Sequence, residues 1–104
     1  MLSFIETKLF TRLVQQYLSE EEYAELQSFL IQNPEAGDIV PGSGGLRKLR
    51  WRGKGRGKRG GFGVIYYART AQGQLWMLTI YPKSAIETIP AHILRQIRKE
   101  IEDA

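Results

Sequence analysis

Apolar residues recur along the chain with three different rhythms, and each rhythm predicts an element. Leu2, Phe4 and Ile5 form a short apolar run that reads as a first or edge strand. From about Thr7, the residues Leu9, Phe10, Leu13, Val14 and Tyr17 follow one another at steps of three and four, the signature of an amphipathic helix. Ser19 with Glu22 three residues later forms a capping box, in which each side chain satisfies the other's orphan backbone N–H. The second helix carries Tyr23, Leu26, Phe29 and Leu30 on one face and ends at about Gln32, before Asn33-Pro34. Two helices so closely joined predict a hairpin lying on one face of a sheet.

A loop over Glu35 to Gly45 precedes a strand over Leu46 to Arg52. Lys48 and Arg50 alternate onto one face of it with Leu46, while Arg47, Leu49 and Trp51 take the other. Two cations on a face that also needs burial are costly unless that face opens to a groove. A third strand runs from Phe62 to about Arg69, and Ala71-Gln72-Gly73 signals a hairpin turn. Gln74 to Tyr81 is apolar enough to be a central strand. After Pro82 the chain crosses to a last helix, with Thr88 as its cap, Pro90 near its start, and Ile93, Leu94, Ile97 and Ile101 as its apolar stripe. The order β-α-α-β-β-β-α predicts an α+β fold, a mostly antiparallel four-stranded sheet with an N-terminal helical hairpin and a C-terminal helix. Its 104 residues show no internal repeat or boundary, as expected of a single domain over 1–104.

Charge changes this picture. Residues 1–38 carry two basic and seven acidic side chains, a net of −5, whereas residues 39–104 carry thirteen and four, a net of +9. Eight of those cations fall between Arg47 and Arg59 with no acid among them, interleaved with Gly53, Gly55 and Gly57. A cationic, glycine-rich loop between two strands suits a phosphate backbone. Trp51, Tyr66, Tyr67, Trp76 and Tyr81 lie on the neighbouring strands, and bases of single-stranded RNA stack on such rings. Tyr66 and Tyr67 point to opposite faces, so at most one joins a site.

Most catalytic templates fail. The chain has no cysteine and a single histidine, His92, which excludes thiolate catalysis, disulfides, a Ser-His-Asp set and any multi-histidine metal site within one chain. His92 is placed on the exposed side of the last helix. Glu20, Glu21, Glu22 and Glu25 are explained by capping and a solvated face. Gly55, Gly57 and Gly60 match GxGxxG, but they lead into a strand, so a dinucleotide site is rejected. No cofactor is expected. Met1–Phe10 carries Glu6 and Lys8 where a signal peptide needs an unbroken apolar core, and no run is long enough to span a membrane. The expectation is a cytoplasmic protein with an anionic partner. A cationic sheet can bind RNA and can also cut it. A base takes the 2′-OH proton, cations stabilise the charged phosphorane, and an acid protonates the leaving 5′-oxygen.

The chain resembles the RelE/HigB-type toxins of bacterial toxin–antitoxin systems. The resemblance is carried by Gly42-Ser43-Gly44-Gly45-Leu46-Arg47-Lys48-Leu49-Arg50, Gly57-Lys58-Arg59-Gly60-Gly61, Val64-Ile65-Tyr66-Tyr67 and Leu78-Thr79-Ile80-Tyr81-Pro82-Lys83. Leu18-Ser19-Glu20-Glu21-Glu22-Tyr23 extends it to the helices. It implies a small α+β toxin that enters the ribosomal A site and cuts mRNA without a metal, held inactive by a cognate antitoxin. It implies Lys48, Arg50 and Lys83 as the residues of the phosphate chemistry. Lys54, Arg56, Lys58 and Arg59 then hold messenger or ribosomal RNA, with Tyr66 or Tyr81 stacking a base.

Relatives commonly carry an arginine two residues before the Ile-Tyr pair, where this chain has Gly63. The tyrosine that archetypal members place near the last helix has no counterpart around Pro90. Arg59 and Lys83 are the cations left to take over that work; otherwise the protein cuts weakly or only binds. Three readings follow: a ribosome-dependent mRNA endonuclease, a non-catalytic RNA- or ribosome-binding module, and a ParE-like gyrase poison on the same fold.

Overall fold

A computed structural model describes residues 2–52, 61–84 and 89–102, with backbone alone at 100 and 102. The elements run β1 (Ser3–Glu6), α1 (Lys8–Tyr17), α2 (Glu20–Gln32), β2 (Asp38–Ile39), β3 (Arg47–Trp51), β4 (Phe62–Arg69), a 3-10 turn (Thr70–Gln72), β5 (Gln74–Pro82) and α3 (Ala91–Glu102). Five strands form one sheet in the order β1-β5-β4-β3-β2, antiparallel except for β1 alongside β5. The expected four strands become five because Asp38–Ile39, inside the stretch read as loop, pairs with Lys48 and Arg47 at the open edge. Two residues between glycines and prolines carry no strand periodicity, so nothing local announces them. β5 is central, as its apolar content requires, with β1 on one side and β4 on the other.

The helix starts are set by local chemistry. Thr7 caps α1 by accepting from the Phe10 N–H, and its hydroxyl donates to the Leu78 carbonyl at 2.8 Å. Ser19 and Glu22 form both halves of the capping box on α2. The hairpin they build covers one face of the sheet: Phe10, Val14, Leu26 and Leu30 pack on Val64, Tyr66, Leu75, Met77 and Ile80. The other face is covered by α3, whose Leu94 and Ile101 meet Leu46, Ile65, Leu78 and Tyr81. The expected stripe of α3 holds at three of its four positions, with Ile97 packed half-buried beside Leu94 and Ile101. Ile93 is exposed while Leu94 and Ile101 are buried. The expected cap, Thr88, lies outside the described residues.

One irregularity decides which side chains share a face. Ile65 pairs with Thr79 but Tyr66 pairs with Met77, so Leu78 is an extra residue in β5. Such a bulge reverses the alternation beyond it. Met77 and Ile80 therefore both face the hairpin, while Leu78 and Tyr81 both face α3.

Candidate nucleic-acid interface

β3 leaves the cover of α3 as it runs toward the basic loop. Leu46 is fully buried, Lys48 is half-buried and Arg50 is exposed. Lys48 lies opposite Ile65 and Arg50 opposite Gly63, so both cations stand on the α3 side of the sheet. Gly63 in turn lies opposite Tyr81. At the same end, the Lys83 N–H donates to the Gly61 carbonyl at 3.1 Å, extending the β4–β5 ladder and setting exposed Lys83 at the mouth of the basic loop. The sheet thus gathers Arg50 and Lys83 at one end, with Lys48 one strand repeat behind. Lys54, Arg56, Lys58 and Arg59 lie outside the described residues.

Arg47, the first cation of the basic stretch, has a structural role. Its Nη1 donates to the carbonyls of Glu35 (3.2 Å) and Gly37 (2.8 Å), and its Nη2 stands 3.8 Å from the Glu35 carboxylate. It holds the chain that leaves α2 against the sheet edge. Tyr66 does the same from the interior. Its ring is fully buried on the hairpin side, and its hydroxyl accepts from the Gly37 N–H and donates to the Pro34 carbonyl, both at 2.9 Å. Burial raises its pKa and keeps it neutral. The expectation that Tyr66 stacks a base is therefore corrected: the ring has no face to offer.

Tyr81 requires the same correction for another reason. It is on the expected face, but only 5% of it is exposed. The end of its ring covers Gly63, where an added Cβ would stand 2.6 Å from Cζ and 2.8 Å from Oη. The space that an arginine stem at position 63 needs is filled by this ring. Gly63 and Tyr81 are one packing unit, which the sequence showed only as an absent arginine. The Tyr81 hydroxyl is buried with no partner among the described residues, and burial raises its pKa, so it stays protonated. Of the other aromatics, Trp51 packs on Phe29 at 5.5 Å on the hairpin face, away from Lys48 and Arg50. Tyr67 and Trp76 pair at the far end of β4 and β5.

A second group of cations lies on α3, beyond the residues that the sequence singled out. Arg98 stacks its guanidinium 4.1 Å above the Tyr67 ring centroid and donates to the Tyr67 hydroxyl (2.8 Å) and the Gly44 carbonyl (3.1 Å). This clamp fastens the Gly42–Gly45 loop to α3. Beside it Arg95, Lys99 and His92 are exposed, His92 as expected. The Arg95/Lys99 spacing of four, one helical turn, was the signal available in the sequence. Among the described residues no group of three or more His, Asp or Glu side chains gathers as a metal site. No helix among them is long and apolar enough to cross a membrane.

This architecture has a solved counterpart. The fold is RelE-like: it is similar to the structure of a mutant of the E. coli toxin RelE in the free state, with a TM-score of 0.61 over 93% of this chain and 96% of that one. Sequence identity between the two is 14%, so the likeness is one of fold. No protein-family model matches the chain.

Proposed function

We propose that this chain is the toxin of a bacterial toxin–antitoxin pair, acting in the cytoplasm on messenger RNA in the ribosomal A site and neutralised by a cognate antitoxin. The observation that carries the reading is the cationic end of the sheet. Arg50 on β3 and Lys83 just past the end of β5 are exposed on either side of β4, at the ends of a loop with four further cations, on a RelE-like fold. In the cleavage reading, Lys48, Arg50 and Lys83 hold the scissile phosphate and stabilise charge as it develops on the phosphorane. Such stabilisation by fixed donors is commonly the largest single contribution to catalysis. The HigB-like subtype belongs to the same proposal.

Mapping RNA 5′ ends in a translating extract tests this. Intact protein should produce cuts within ribosome-bound messages, and Lys83→Ala should abolish them. Lys83 is exposed, so that variant should fold normally. Normal translation and intact messages in the presence of folded, antitoxin-free protein would refute the nuclease.

The Gly63–Tyr81 contact favours a second reading, a module that binds RNA or the ribosome without cutting, since the ring leaves no room for an arginine there. It predicts salt-sensitive RNA binding with no new 5′ ends. A DNA supercoiling assay separates both from a gyrase poison, because neither should disturb gyrase.

A further inference from the structure

The Gly42–Gly45 loop and α3 enclose a groove of about 560 Å³ lined by Ser43, Gly44, His92, Arg95, Gln96, Arg98 and Lys99. Its volume lies in the range of small-ligand sites. The walls are held before any ligand arrives. The buried Ser43 hydroxyl donates to the Val40 carbonyl (2.7 Å) and accepts from the Leu46 N–H (3.0 Å), which fixes the loop. Arg98 is clamped onto Tyr67 and the Gly44 carbonyl. Gly42 turns the loop at φ 74°, a conformation that favours glycine, with Arg95 Nη1 3.7 Å from where a Cβ would stand.

The described lining of the groove holds no carboxylate, and among the described residues neither Arg95 nor Lys99 makes an ion pair. Like charges four residues apart on a helix repel, and an anion placed between them removes that repulsion. The groove lies on the same side of the sheet as Lys48 and Arg50, because α3 packs on the face from which those side chains project.

We propose that this groove is a second phosphate-ester subsite. Arg95 and Lys99 hold the phosphate, the Arg guanidinium by paired N–H donors, and Gln96 and His92 line the remaining space where a sugar or base would lie. The phosphate comes from an RNA chain continuing along the face beyond Lys48, or from a free nucleotide. Choosing phosphate over carboxylate rests on the RNA-directed reading above.

Binding of a short labelled single-stranded RNA, titrated against salt, tests this with Arg95→Ala/Lys99→Ala and with the charge-keeping Arg95→Lys/Lys99→Arg. Removing two phosphate-binding cations should reduce the slope of log K against log salt on a single strand by about 1.4 and weaken binding on the order of tenfold near 0.1 M salt. The charge-keeping variant should hold the slope, and an unchanged melting temperature shows that the fold is intact. Backbone amide shifts at 42–45 and 92–99 locate the ligand. If AMP and inorganic phosphate move them, a free nucleotide suffices; if RNA alone moves them, the chain is the ligand.

An unchanged salt slope in the alanine variant overturns the proposal. So does binding of polyglutamate that needs Arg95 and Lys99 when RNA binding does not, which would make the groove a seat for an acidic peptide. The two readings fail separately. Absence of cuts in the translating extract leaves the salt slope standing, and an unchanged slope leaves the cuts standing.

Discussion

Gly63→Ala adds one carbon, and the structure says where it goes. The new Cβ would meet Tyr81 Cζ at 2.6 Å, Cε2 at 2.7 Å and Oη at 2.8 Å. Carbon atoms pack best at about 3.5–4.0 Å, so the ring must retreat by roughly 1 Å. It has little space for this, being 5% exposed among Leu46, Ile65, Leu78, Leu94 and Ile101. Overfilling a core of this kind costs about 1–3 kcal/mol. Replacing a strand glycine whose φ is not positive returns about 0.4–1 kcal/mol through the unfolded chain. The net expectation is a loss of about 0.5–2 kcal/mol, at about 4–8 °C of melting temperature per kcal/mol in a domain near this size. Gly63→Arg should lose more, since its stem must expel the ring, and burial of such a side chain is worth about 1.5–3 kcal/mol. Arginine at position 63 is therefore no simple restoration of a toxin. Urea unfolding of Gly63→Ala, Tyr81→Ala and the double variant isolates the contact. With Tyr81 removed, Gly63→Ala should become neutral or stabilising, a coupling of about 1–3 kcal/mol. Equal costs in both backgrounds, or a stabilising Gly63→Ala beside an intact Tyr81, would refute the packing account.

Further outcomes follow from other contacts. Tyr66→Phe leaves the buried Gly37 N–H and the Pro34 carbonyl without their hydroxyl partner, and should cost about 1–3 kcal/mol in denaturant unfolding while RNA affinity stays unchanged. Tyr81→Phe removes a buried hydroxyl that has no partner among the described residues, so it should be neutral or stabilising by up to about 1 kcal/mol; a clear loss would reveal a partner. The Tyr23 phenol is held protonated, first by burial and then by its hydrogen bond to Glu6 (2.5 Å). The unfolded chain gives up that proton near pH 10 while the folded one keeps it, so stability is complete below pH 10 and declines above it, by at most about 1.4 kcal/mol per pH unit for one proton. Tyr23→Phe should flatten that decline in alkaline unfolding curves, and an unaltered curve would refute it.

Long periodic segments were legible in the sequence, and pairings across the sheet were not. α1, α2 and their caps follow from local spacing and chemistry, because each signal and its partner lie within a turn or two. The placement of Lys48 and Arg50 on one face with Leu46 also followed from alternation within β3. Alternation failed where a tertiary contact took precedence. β2 exists only because Arg47 and Lys48 offer it a neighbour. Tyr66 looked available for stacking until Pro34 and Gly37 closed on its hydroxyl from thirty residues away. The cations of α3 gained meaning only when the Gly42–Gly45 loop was seen against them.

The extra residue at Leu78 has a consequence for how this strand can vary. It works as a frameshift in side-chain direction, separating β5 into two segments with independent phase. Gln74–Met77 answers to the β1 side and the hairpin, while Thr79–Tyr81 answers to Gly63. Deleting that one residue would leave the composition of the strand almost untouched. Yet Met77 would still lie opposite Tyr66 and Tyr81 opposite Gly63, now in one unbroken alternation that keeps the ring over the glycine. A length change of a single residue at this point is thus absorbed by the ladder, and only a shift of Tyr81 against Gly63 would open the face that the ring closes.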